Sequence, residues 1–147
     1  MFGDLLRRLT APQPETLPEM DARLALTALL VRLAKSDGDY DAAEIARIDR
    51  IVATRYAMNP VDAMKLRADA EDLEREAPDT VRFTRAIRDA VPHEERAAVI
   101  EALWDVVLAD GERDVEEDAI LRMVAPLLGI SDQDSALARQ RVEARRT

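Results

Sequence analysis

The stretch Ala34-Lys35-Ser36-Asp37-Gly38-Asp39-Tyr40-Asp41-Ala42-Ala43-Glu44 decides the fold of this chain. Upstream, Leu26, Leu29, Leu30 and Leu33 recur at helical spacing between Glu19 and Lys35, so the chain enters the stretch as a helix. Ser36-Asp37-Gly38 ends that helix, because Gly38 suits the left-handed residue that closes a helix. Asp41 to Glu44 reads as a capping box with Asp in place of the usual Ser or Thr, and it opens a second helix. Ile45, Ile48 and Val52 give that second helix an apolar face. The motif is therefore helix, tight acidic turn, capped helix.

The same reading extends outward in both directions. Asn59-Pro60 is a helix cap followed by the proline preferred at the first helical position, so the second helix stops near Met58. A third helix runs to about Glu76 and carries Val61, Met64, Ala68 and Leu73. Pro78 and Pro92 bracket a shorter helix with Val81, Phe83 and Ile87. Val99, Leu103, Val106 and Val107, extended by Trp104, face the core from the next helix, which Asp110-Gly111 stops. Asp114 to Glu117 opens another helix with Leu121, Val124 and Leu128; Gly129 closes it, and Ser131 starts the last one. Trp104, Met20, Met58, Met64 and Met123 sit mostly at apolar-face spacing and are read as core. At the N-terminus Phe2, Leu5, Leu6 and Leu9 share one helical face, and the prolines at 12, 14 and 18 make a linker. A helix this short is marginal alone and has to dock, on its own domain or, through residues 2–9, on a membrane surface or a partner.

Sliding the chain against itself by 73 residues aligns its halves. Arg23 meets Arg96, Leu30 meets Leu103, Asp37-Gly38 meets Asp110-Gly111, Asp41 meets Asp114 and Glu44 meets Glu117. After a one-residue gap, Met58-Asn59 falls on Ile130-Ser131. The fold expected is all-α: a compact bundle of about seven to eight helices built from two pseudo-symmetric repeats. Residues 1–18 are a short amphipathic helix and linker, and 19–147 form a single domain. Within it, repeat one covers about 20–76, a bridging helix 78–91 and repeat two 92–146.

This twin pattern, Ala34 to Glu44 paired with Leu108 to Glu117 and followed by Leu127-Leu128-Gly129-Ile130-Ser131, resembles the TerB-like tellurite-resistance family over roughly residues 20–145. The resemblance implies an all-helical domain tied to tellurite resistance and cytoplasmic stress responses, with metal binding proposed for its acidic residues. A related domain is fused to a J-domain in a membrane co-chaperone. No His-Pro-Asp triplet occurs here, so that activity is not implied.

Bulk composition narrows the function classes. The net charge of −9 repels a polyanion, and no basic stripe interleaved with aromatics is present, which argues against nucleic acid. Nineteen arginines against two lysines, with abundant alanine, reflect genome composition and not phosphate recognition. The absence of cysteine removes thiolate metal sites and cysteine nucleophiles, and fits a cytoplasmic protein. No apolar run approaches the ~20 residues of a membrane helix, and the first residues lack the order of a secretion signal.

The acidic turns are the candidate site. Asp37, Asp39, Asp41 and Glu44 cluster in one, and Asp110, Glu112, Asp114 and Glu117 in the other. Carboxylates at alternating positions supply the oxygen ligands that calcium or magnesium requires, and zinc also accepts them. An EF-hand loop is excluded: counted from Asp37, the sixth position is Ala42 and the twelfth Ile48. Capping alone accounts for Gly38, Gly111, Asp41, Asp114, Glu44 and Glu117. It does not account for Asp37 and Asp110, because acid at a helix C-terminus opposes the helix dipole. No Gly-rich phosphate loop is present, Glu-x-x-His is absent, and the one histidine, His93, is an exposed helix-start residue. The reading is a non-catalytic domain whose twin turns bind a divalent cation or a basic partner. Its rival is a protein-interaction scaffold in which the turns only cap helices.

Overall fold

The computed structural model describes residues 3–10, 18–35, 40–109 and 115–146, with backbone alone at 107, 109, 115–120 and 146. Eight helices and no strand occur among the described residues. They are α1 (Gly3–Leu9), α2 (Glu19–Lys35), α3 (Ala42–Tyr56), α4 (Pro60–Glu76), α5 (Thr80–Ala90), α6 (His93–Ala109), α7 (Val115–Leu127) and α8 (Asp132–Arg146). The bounds of α2, α3 and α4 recur in α6, α7 and α8 at the spacing the sequence alignment sets.

The central helix of the first half is α2. Its Ala22, Ala25, Leu26, Ala28, Leu29, Val31 and Leu33 are all buried, so apolar side chains cover most of its circumference. A helix of that kind belongs in an interior. Its one buried hydroxyl, on Thr27, donates to the Arg23 carbonyl at 2.7 Å. Its counterpart α6 buries Val99, Ile100, Ala102, Leu103, Trp104 and Val106. Helix α2 packs chiefly on α4 and α6 on α8, while α3 of the first half lies on α6 of the second and joins them. Helix α5 touches α1, α2 and α7. Its Phe83 and Ile87 are fully buried, whereas Val81 is exposed.

The helix ends repeat as closely as the helices. Ala57 closes α3 at φ 52°, ψ 45°, and Gly129 follows α7 at φ 74°. In both halves the next N–H reaches back five residues, Met58 to the Ala53 carbonyl (3.1 Å) and Ile130 to the Ala125 carbonyl (2.8 Å). This is the Schellman closure, and its left-handed residue is a glycine in one half and an alanine in the other. The next cap repeats too: Asn59 accepts from the Asp62 N–H at 2.8 Å and Ser131 from the Asp134 N–H at 3.0 Å.

Several apolar positions lie elsewhere than their spacing suggests. Val61 and Met64 are 73% and 50% exposed, and Ala68 is also exposed; the buried face of α4 is Ala63, Leu66, Ala70 and Leu73. Small alanines let α4 approach α2 closely, and that choice of face turns the larger Val61 and Met64 outward. Met20 and Met123 are likewise exposed, while Trp104 is buried, with its indole N–H 3.2 Å from the Ser135 hydroxyl. Helix α1 docks on α5, with Leu5 and Leu9 inside the core, so these two leucines are not available to a membrane surface.

Candidate functional site: the acidic helix turns

The last residues of α2 are tied to α4 by a charged brace. Arg32 donates from Nε to the Glu74 carboxylate (2.7 Å) and from its two terminal nitrogens to the carbonyls of Pro78 (2.7 Å), Glu74 (3.1 Å) and Ala77 (3.3 Å). One guanidinium thus bonds the carbonyls at the end of α4: that of Glu74, which also accepts the Ala77 N–H at 3.2 Å, and those of Ala77 and Pro78 after it. Lys35 takes the other Glu74 oxygen at 2.9 Å and lies 5.5 Å from the Tyr40 ring centre. Burial pushes the Glu74 carboxyl up, but the hydrogen bonds and charges of Lys35 and Arg32 outweigh it and hold the group below its usual range. Because Arg32, Lys35 and Glu74 all lie near their helices' ends, α2 and α4 run parallel.

On the α3 side, Asp41 is the N-cap: its carboxylate accepts from the Glu44 N–H at 3.0 Å. The Glu44 carboxylate pairs with Arg47 at 3.2 Å. Tyr40 is half-buried; burial, and then the neighbouring Glu71 carboxylate, push its phenol well up. Arg67 cross-links α4 to α3 through Asp49 (3.0 Å) and also holds Glu71 (2.9 Å). These bonds fix the residues on both sides of the turn.

Of the eight candidate ligands, Asp41 and Glu44 are therefore seen at work, one as cap and one as ion-pair partner. Asp37, Asp39, Asp110, Glu112 and Asp114, and the side chain of Glu117, lie outside the described residues, as does the meeting of the two turns. Among the described residues no three His, Cys, Asp or Glu side chains converge to hold a metal. His93 is exposed at the first position of α6.

The brace is a feature that sequence reasoning missed. Arg32 and Glu74 stand 42 residues apart, and each alone reads as a solvated charge on a helix surface. In the second half Asp105 occupies the Arg32 position, and it lies 3.9 Å from Arg145.

The family model described as tellurite resistance protein TerB matches residues 23–140. No curated protein and no solved structure matches the chain.

Proposed function

The chain belongs to the TerB family of tellurite resistance proteins, and from that premise we propose that it is a non-catalytic, cytoplasmic stress-response domain whose twin acidic turns bind a divalent cation. The feature that carries this reading is the position of Asp37 and Asp110 in the sequence. Helices α2 and α6 are described to Lys35 and Ala109, and in the sequence Asp37 stands two residues and Asp110 one residue beyond. An acid at a helix C-terminus costs a few tenths of a kcal/mol instead of stabilising the helix. Asp41 already serves as a cap and Glu44 is already paired, so the folding role of the turn is filled without Asp37. Oxygen-only donors favour calcium or magnesium, with zinc the weaker match.

Thermal unfolding of chelator-treated protein tests the reading. A cation that binds only the folded chain at about a hundred times its Kd stabilises by about 2.7 kcal/mol. The midpoint of the parent should therefore rise with calcium or magnesium, and that of Asp37→Asn/Asp110→Asn should not. A parent whose midpoint ignores all three cations contradicts the proposal.

A second reading, a protein-interaction module, is favoured by a different observation. Met20, Val61 and Met64 are 59%, 73% and 50% exposed in the first turns of the parallel helices α2 and α4. Exposed apolar side chains gathered at one end of a bundle suit a protein partner. Pull-down with Val61→Ser/Met64→Ser beside the parent separates the two readings, since the cation response does not depend on these side chains.

A further inference from the structure

The repeat alignment pairs residues of different volume at several buried positions, among them Val31 with Trp104, and one such difference lies beside a cleft. In the first half Leu24 and Leu66 fill the seam between α2 and α4, with Met58 packed against them. Their equivalents, 73 and 72 residues on, are Ala97 and Ala138. At each of these two positions the seam between α6 and α8 therefore lacks the three terminal carbons of a leucine. A cleft of about 220 Å3 stands there, its apolar lining made by Ala97, Ile130 and the exposed Leu137 over the buried Ile100 and Ala138. For scale, an apolar cavity of about 150 Å3 accepts a benzene ring.

The charges around this cleft are ordered along it. Asp134 and Arg141 both line it, and they are seven residues apart on α8. That is two helical turns, so they share a face about 10 Å apart along the axis. Helix α6 runs parallel to α8, since Glu101 and then Asp105 reach Arg141 and Arg145, and so His93 in its first turn joins the Asp134 end. Glu101 pairs with Arg145 at 3.2 Å and with Arg141 Nε at 3.7 Å, so a carboxylate in the cleft would share the Arg141 guanidinium with Glu101. The first half has no such polarity: the equivalents of Asp134 and Arg141 are Asp62 and Asp69, both acids.

An acid at one end, an apolar floor and a guanidinium at the other complement a ligand with an amine, an aliphatic chain and a carboxylate in that order. We propose that the α6–α8 cleft binds a small ω-amino carboxylate, its ammonium on Asp134 and its carboxylate on Arg141. This site is separate from the acidic turns and does not depend on the cation reading.

Amide chemical shifts of the full chain, titrated with 6-aminohexanoate, hexanoate and hexylamine, test it. The dipolar compound should saturate and move the resonances of Ala97, Ile100 and Ala138. Each singly charged compound should bind at least about tenfold more weakly, the share of one charge-assisted hydrogen bond. Ala97→Leu/Ala138→Leu, which restores the side chains of the first half, should abolish binding. Arg141→Gln and Asp134→Asn, both on the surface and compatible with folding, should each weaken it by a similar factor. No saturable shifts in the parent, equal binding of hexanoate, or undiminished binding by Arg141→Gln would each overturn the proposal.

Discussion

Ala57 and Gly129 occupy the same left-handed position in the two halves, so exchanging their residue types should change stability in opposite directions. At φ 52° the alanine places its Cβ against the following carbonyl, a strain of about 1–2 kcal/mol. Glycine relieves it but adds freedom to the unfolded chain worth about 0.4–1 kcal/mol. Ala57→Gly should therefore stabilise the protein by about 0.5–1 kcal/mol. Gly129→Ala incurs the same strain in reverse, with a further penalty. A Cβ at Gly129 would stand 3.0 Å from Arg96 Nη1 and 3.1 Å from Arg88 Cδ. That Arg96 nitrogen donates to the Leu128 carbonyl at 2.5 Å and would have to move. Losing part of a charge-assisted bond brings the total cost to about 2–3 kcal/mol. In a domain of this size each kcal/mol moves the melting midpoint by about 2–4 °C. Circular dichroism melts should place Ala57→Gly about 2 °C above the parent and Gly129→Ala about 6–10 °C below it. A lower midpoint for Ala57→Gly would refute the equivalence of the two helix ends.

Arg32→Met removes the guanidinium that binds Glu74 and closes the end of α4; urea titration should show a loss of about 3 kcal/mol, as expected when one partner of a mostly buried pair is removed. Because the folded state holds the Glu74 carboxyl below its usual range, its contribution is complete above the ordinary carboxylate range and disappears as the pH falls through the folded value. Glu74→Gln should accordingly flatten the acid limb of a stability-versus-pH profile, and an unchanged limb would contradict the brace. Leu9 is 1% exposed, so Leu9→Ala should cost about 2–4 kcal/mol in the same titration. No change there would mean that α1 is not part of the core.

Much of the fold is legible in the sequence because helix ends carry local chemistry. Asn59 before Pro60, Ser131 before Asp132, and Gly129 each act within a turn of their own position, and the structure ends and starts helices there. The face of α4 was not legible in the same way. Its buried positions include Ala63 and Ala70, whose methyl groups give a weak apolar signal, while Val61 and Met64 give a strong one and are exposed. Packing distance, not side-chain hydrophobicity, chose the face. The Arg32–Glu74–Lys35 brace was illegible because a charge on a helix does not show which charge meets it from another helix. The candidate site was half legible. Capping chemistry explains Asp41, as its bond to the Glu44 N–H shows, and the same chemistry leaves Asp37 and Asp110 unexplained.

Cation binding by the twin turns requires those two aspartates to act together. Calorimetric titration of the chelator-treated chain with calcium tests it most directly, with Asp37→Asn and Asp110→Asn measured singly beside the parent. One saturable site per chain is expected, weakened by either substitution alone, since both turns supply ligands to one cation. Absence of binding heat with calcium, and then with magnesium, or a parent-like isotherm from both variants, would contradict it.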